Sequence, residues 1–151
     1  YAQPGRRARH NLNYWRFGDY LGIGAGAHGK LTDTVGRVTR LWKPKHPETY
    51  LESAGSPKGI GGNNEVQGAD LAFEFMLNRL RLVDAFSAAD FGAATGLAVE
   101  HIEPGVKRAL ELELLEAVPG GWRVTTRGQN YLNDLQSLFL PAKDAEHRIT
   151  A

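Results

Sequence analysis

The chain has 151 residues, 42% of them hydrophobic, which is enough for one domain or for one small domain and part of another. It contains no cysteine, so disulfide frameworks and thiolate-bound metal centres are excluded, and it has no run of 18 apolar residues that could span a membrane. The net charge of +1 is unevenly divided, because residues 1–48 carry nine Lys or Arg against three acids while residues 49–151 carry nine against fourteen.

The most informative segment lies in the basic first part. The run from His10 to Trp15 is His-Asn-Leu-Asn-Tyr-Trp, and the run from Gly22 to Gly29 contains four glycines and His28. Glycine allows the main chain to approach a bound group closely, and neutral imidazole is a common ligand of transition metals and of haem iron. This pattern favours a flat ligand or a metal-bearing cofactor. Aromatic packing and a solvated basic surface are the alternatives.

Two short strands are predicted on either side of a polar turn, at residues 19–23 and 37–42. Pro44 and Pro47 should then end regular structure. Residues 53–68 are rich in Gly, Ser and Asn with few apolar side chains, which predicts a linker.

Four helices and a hairpin are predicted after the linker. Apolar side chains recur at helical spacing over residues 71–86. Ser87 and Asp90 have the spacing of a capping box, which should open a short helix that stops at Gly96. A helix over residues 106–115, a hairpin about Pro119-Gly120-Gly121 and a helix from Thr125 or Thr126 should follow. This is a winged-helix order.

Other chemistry is not supported by the sequence. The spacing Gly22-x-Gly24-x-x-Ala27 resembles a dinucleotide fingerprint, but the residues after it form a poor helix. No Gly-x-Ser-x-Gly elbow and no zinc motif is present. Residues 97–118, where a recognition helix would lie, carry five Glu against Lys107 and Arg108, so no nucleic-acid partner is expected.

The two runs in the first part resemble the HemW family, which is related to oxygen-independent coproporphyrinogen III oxidase. The resemblance rests on His-Asn-x-x-Tyr-Trp at residues 10–15 and Tyr-Leu-Gly-Ile-Gly-x-Gly-Ala-His-Gly at residues 20–29, continues through residues 73–82 and ends near Leu140. It implies an α+β chain with a two-strand edge of a partial β/α barrel followed by a winged-helix-like domain. The implied divisions are 1–52 for the radical SAM barrel end, 53–68 for the linker, 69–140 for the carboxyl-terminal domain and 141–151 for a tail.

The resemblance also implies a site. In that family the first motif is associated with holding haem, which assigns cofactor binding here to His10, Asn11, Tyr14 and Trp15, with His10 on the iron. The glycine run is implied to face the barrel cavity, which adds Gly24, Gly26 and His28. For His28, a hydrogen-bonded turn residue is the slightly favoured alternative.

The implied function is haem binding and delivery, with haem and a haem-accepting protein as partners. Alternatives are part of a coproporphyrinogen oxidase, or a structural or partner-binding domain without a ligand. Family members also bind S-adenosylmethionine, and they hold a four-iron four-sulfur cluster through three cysteines. We therefore expect an upstream radical SAM half of a longer parent, and no catalysis by this chain alone; the sequence leaves open whether the parent is an enzyme. A cytoplasmic location is expected, with membrane association only through partners.

Overall fold

A computed structural model describes residues 6–141 of the chain, so residues 142–151 of the predicted tail lie outside the described range. Of the described residues, 6–17 and 68–141 form one compact unit, here called the first unit, and Gly18–Gln67 form the second. The helices are α1 (Arg9–Trp15), α2 (Pro47–Ser53), α3 (Gly68–Arg79), α4 (Ala88–Thr95), α5 (Glu103–Glu111), α6 (Thr126–Asn130) and α7 (Leu132–Ser137). The strands are β1 (His28–Thr32), β2 (Val38–Trp42), β3 (Gly62–Val66), β4 (Leu115–Val118) and β5 (Gly121–Val124), and 3-10 turns form at Pro57–Gly59 and Val99–His101.

The second unit contains a three-stranded antiparallel sheet in the order β1-β2-β3. Its register places His28 opposite Trp42 and Val38 opposite Val66. The predicted edge of two strands is therefore three strands, and the prediction of a strand at residues 19–23 is wrong, because only an isolated bridge joins Tyr20 to Lys30.

Close packing of glycine explains why residues 19–23 form no strand. A Cβ on Gly22 would lie 2.2 Å from the carbonyl oxygen of His28, so this segment folds tightly against the start of β1. Tyr20 exchanges two backbone hydrogen bonds with Lys30 of β1, and in the loop that follows the segment the Ala27 N–H donates to the Gly24 carbonyl. A strand forms instead nine residues later, at β1.

The segment predicted as a linker is partly regular. Pro47 begins α2 instead of ending regular structure, because its fixed φ suits the first helical position. Residues 62–66 form β3 despite their Gly and Asn content, since pairing with β2 satisfies their backbone groups. Gly62 lies against Trp42, where a Cβ would approach the indole ring to 2.3 Å. Tertiary pairing has overridden local propensity here.

The first unit is built around the buried face of α3. Phe75 is 2% exposed and meets Phe17 and Phe91 edge-on, with ring centroids 5.7 Å and 5.3 Å away. Met76 and Ile102 are also buried. Such aromatic contacts add about 1 kcal/mol each to the burial of the rings. This core fixes the end of α1, because Phe17 follows that helix directly.

Helix α3 ends at Arg79, seven residues before the predicted end at Phe86. Arg79 donates hydrogen bonds to the carbonyls of Asp84 and Ala85, at 3.0 Å and 2.6 Å, which turns the chain back. Phe86 then forms a bridge with Trp122 of β5. The apolar spacing continues past Arg79 because Leu80 and Leu82 are buried in this turn, although they are no longer helical.

The remaining elements confirm the winged-helix order. The capping box is present, since Asp90 donates its N–H to the Ser87 hydroxyl and accepts the Ser87 N–H, and Gly96 ends α4 in the left-handed region. The hairpin β4–β5 forms as predicted. Helix α5 stops at Glu111, because Leu115 opens β4, and the single last helix is divided into α6 and α7 at Tyr131.

Candidate functional site

The four residues of the first predicted motif lie on α1, in the first unit. His10 is exposed, whereas Asn11, Tyr14 and Trp15 are half-buried. The His10 and Tyr14 rings, one helical turn apart, meet edge-to-face with centroids 6.3 Å apart and planes at 74°. The helix therefore presents an accessible imidazole that is flanked by an aromatic ring.

Contacts at both ends hold α1 in place. Phe17 adopts a φ of 63°, unusual for a bulky residue, and is 5% exposed against Phe75. Before the helix, Arg7 donates to the Asp84 carboxylate at 3.1 Å. The helix itself has no side-chain cap and no fully buried residue. The position of His10 thus depends on these flanking anchors more than on the helix.

His10 could supply a single imidazole ligand, but it is not part of a multi-residue metal site within the described residues. In residues 6–141 no group of three or more His, Cys, Asp or Glu side chains is placed to hold a metal ion. Haem iron needs only one axial protein ligand, because the porphyrin supplies the other four nitrogens. An exposed imidazole next to an aromatic ring meets that requirement.

The other predicted residues, Gly24, Gly26 and His28, belong to the second unit. Gly24 and Gly26 have φ of 111° and 69°, which favours glycine at both positions. The Gly24 N–H donates to the Tyr50 hydroxyl at 3.1 Å, and the Gly26 N–H donates to the Pro44 carbonyl at 2.8 Å. Both amides are thus used by the loop, so its conformation alone accounts for these two glycines.

His28 is exposed at the first position of β1, close in sequence to a shallow apolar groove. The groove has a volume of about 200 Å³ and is lined chiefly by Leu21, Ile23, Leu41, Trp42, Lys43 and Ile60. Ligand pockets typically measure about 300–1,000 Å³, so this groove could enclose only part of a tetrapyrrole. No motif in the sequence predicted this groove, although the apolar residues Leu21 and Ile23 between the glycines could have indicated it.

An ion pair between the buried Lys30 and the more exposed Asp19 supports the segment before the glycine loop of the second unit, and the sequence did not indicate it. The Asp19 carboxylate accepts Lys30 Nζ at 3.1 Å, and the N–H and hydroxyl of Thr32 at 2.8 Å each. The Lys30 side chain is only 3% exposed. Burial raises the pKa of Asp19, but the hydrogen bonds from Thr32 and Lys30 outweigh it, and the pKa lies below its usual value. The sequence around Lys30 is polar, so it did not indicate that this side chain is buried.

Comparison with known proteins gives one family match and several relatives. Residues 66–130 match the HemN C-terminal domain. The chain is 41% identical over 140 residues to the haem chaperone HemW of Escherichia coli strain K12 and to that of Haemophilus influenzae. Each match covers 93% of this chain and 36% of the relative. The haem chaperone HemW of Mycobacterium tuberculosis strain H37Rv is 39% identical over 95 residues, which is 62% of this chain and 23% of that protein.

A solved structure shares the fold. It is the coproporphyrinogen III oxidase HemN of Escherichia coli, described as a radical SAM enzyme, with a TM-score of 0.57 and 15% sequence identity. The match covers 81% of this chain and 28% of that one. The chain therefore spans about a third of the length of the proteins it resembles. No helix within residues 6–141 is long and apolar enough to cross a bilayer.

Proposed function

Because the chain belongs to the HemW-like relatives of HemN and carries the HemN C-terminal domain, we propose that it binds haem and takes part in haem delivery. The observation that carries the proposal is the exposed His10 imidazole on α1, within a chain 41% identical to proteins named haem chaperones. Imidazole is an established axial ligand of haem iron.

Each residue of the motif has a proposed role. His10 binds the iron through a ring nitrogen, and Tyr14, whose ring borders it, offers an aromatic surface to the macrocycle. Trp15 and Asn11 are half-buried and support this surface. Gly24, Gly26 and His28 stay second candidates, with Leu21, Ile23 and the neighbouring groove as the apolar surface on their unit.

The relatives are longer than this chain, and we propose that the rest of a radical SAM scaffold lies in the part of the protein that this chain does not cover. The chain has no cysteine, so ligands for an iron–sulfur cluster, and the S-adenosylmethionine beside it, would come from that part. The proposed partners are that half of the protein, haem and a haem-accepting protein. The cytoplasmic location remains a prediction, as do the domain limits 1–52, 53–68 and 69–140.

Haem delivery is favoured over a coproporphyrinogen oxidase by the degree of similarity. The haem chaperones share 41% of residues over 93% of the chain, whereas the oxidase shares the fold at 15% identity.

The test is a haem titration of the chain and of His10→Ala, followed by the Soret band. We expect saturable binding by the unmodified chain and a loss of about tenfold or more in affinity for the variant, equivalent to about 1.4 kcal/mol. Circular dichroism should show that His10→Ala is folded, since the side chain it removes is exposed.

His101→Ala is the matched control, because His101 is also an exposed histidine of the first unit. It should bind haem as the unmodified chain does. Equal binding by all three proteins would remove His10 from the role of ligand, and absence of saturable binding by the folded, unmodified chain would contradict haem binding altogether.

A further inference from the structure

The solvent-facing side of α1 is unusually cationic. Arg9, Asn13 and Arg16 are exposed, and their spacing of four and three residues places them in one row along the helix. His10 is exposed beside this row. The helix and its two cap residues, Ala8 and Arg16, include no acidic residue, so nothing on the helix itself neutralises the two guanidinium groups.

The helix would be more stable without this arrangement. A cation in the first turn of a helix opposes the partial positive charge of its N-terminal amides, at a cost of about 0.3–1 kcal/mol. Arg9 occupies the first position of α1, with no acid in its first turn. Arg7, in contrast, is paired with Asp84 and anchors the segment before the helix.

The rows on the helix place the charges and the imidazole on adjoining faces. At 100° per residue, His10 lies between the row of Arg9 and Arg16 on one side and Tyr14 on the other. Arg9 and Arg16 are seven residues apart, which is about 10 Å along the helix axis. Both arginine side chains are long and end in planar forks that match carboxylates.

We propose that Arg9 and Arg16 bind the carboxylate groups of a tetrapyrrole whose iron is held by His10. This proposal rests on the proposed function and adds to it the two residues that recognise the carboxylates of the ligand. The interaction is electrostatic and directional, because guanidinium–carboxylate pairs are about twice as strong as neutral hydrogen bonds. Carboxylates thus orient the ligand, while the imidazole fixes the iron.

The test compares haem with haem dimethyl ester, in which both carboxylates are esterified and uncharged. The proteins are the unmodified chain, the double variant Arg9→Gln/Arg16→Gln and the control Arg81→Gln, which removes one exposed cation of the first unit from a site outside α1. We expect the double variant to lose about tenfold or more of the haem affinity, equivalent to about 1.4 kcal/mol. Binding of the ester should be weaker than that of haem and equal among the three proteins.

Several results would overturn the proposal. They are undiminished haem binding by the double variant, equal affinity of the unmodified chain for haem and its ester, or a loss of the same size in Arg81→Gln, which would indicate a general charge effect. Displacement of haem by duplex DNA, abolished in the double variant, would assign the arginine row to nucleic acid instead. The two proposals fail separately: if His10→Ala binds haem normally and the arginine variant does not, the carboxylate site stands and the iron ligand lies elsewhere.

Discussion

The Asp19 carboxylate fixes the segment before the glycine loop through hydrogen bonds to β1. It accepts hydrogen bonds from Lys30 and from both donors of Thr32, and it thereby ties the segment before the glycines to β1. Lys30 is nearly fully buried, so its ammonium group depends on this partner. A local sequence pattern does not reveal the pair, because the two residues meet only when the chain folds back.

Asp19→Asn should lower the stability of the second unit. The variant weakens charge-assisted hydrogen bonds, and we expect the free energy of unfolding to fall by about 2 kcal/mol at neutral pH. Urea unfolding followed by the NMR signals of backbone amides in β1 and β2 would measure it. The control Asp33→Asn alters an exposed pair with Arg37, which should cost less than about 1 kcal/mol. Equal losses in both variants would contradict a special role for Asp19.

The same carboxylate predicts a dependence on pH. The pKa of Asp19 is lower in the folded protein than its usual value, so its contribution is complete above that usual value and is lost as the pH falls through the folded pKa. Stability should therefore decline below about pH 4, and less steeply in Asp19→Asn than in the unmodified chain. Identical acid limbs for the two proteins would be inconsistent with this assignment.

Among the helices and strands, the sequence predicted those features that depend on neighbouring residues in the chain. Ser87 and Asp90 satisfy each other's backbone amides whatever surrounds them, and Pro119-Gly120 favours a turn between β4 and β5. Elements that depend on distant partners escaped prediction. Strand β3 exists because β2 pairs with it, and α3 ends early because Arg79 holds carbonyls five and six residues ahead.

Two helical glycines offer a contrast at this scale. A Cβ on Gly105 of α5 would lie 2.6 Å from the Phe139 ring and 2.9 Å from the Leu138 carbonyl oxygen, so Gly105→Ala should destabilise the first unit by about 1–3 kcal/mol. Gly92 in α4 has its nearest neighbour, the Leu97 carbonyl oxygen, at 3.7 Å. Gly92→Ala should therefore stabilise the protein by about 0.5–1 kcal/mol.

Thermal unfolding of both glycine variants would measure these opposite shifts. The midpoint should fall for Gly105→Ala and rise for Gly92→Ala. A rise in both midpoints would show that helix propensity, and not the space beside α5, decides the outcome, and a fall in both would contradict the open space beside Gly92.

At the scale of the whole molecule, the candidate residues divide between two units. His10, Asn11, Tyr14 and Trp15 belong to the first, and Gly24, Gly26 and His28 to the second. The sequence placed all seven in one barrel segment, since they lie within 19 positions of one another. It could not show that α1 joins the carboxyl-terminal helices, because that association depends on Phe17 packing against Phe75 and on Arg7 pairing with Asp84.

We propose that His10, and no other histidine, binds the haem iron. Paramagnetic broadening of histidine ring signals tests it most directly, with isotope-labelled histidine in the intact chain, ferric haem added stepwise, and each ring assigned by single substitution. We predict that the His10 ring signal disappears at the lowest haem ratios, while those of His28, His46 and His101 persist. Early loss of the His28 signal, or of any other, with that of His10 unchanged would contradict the account.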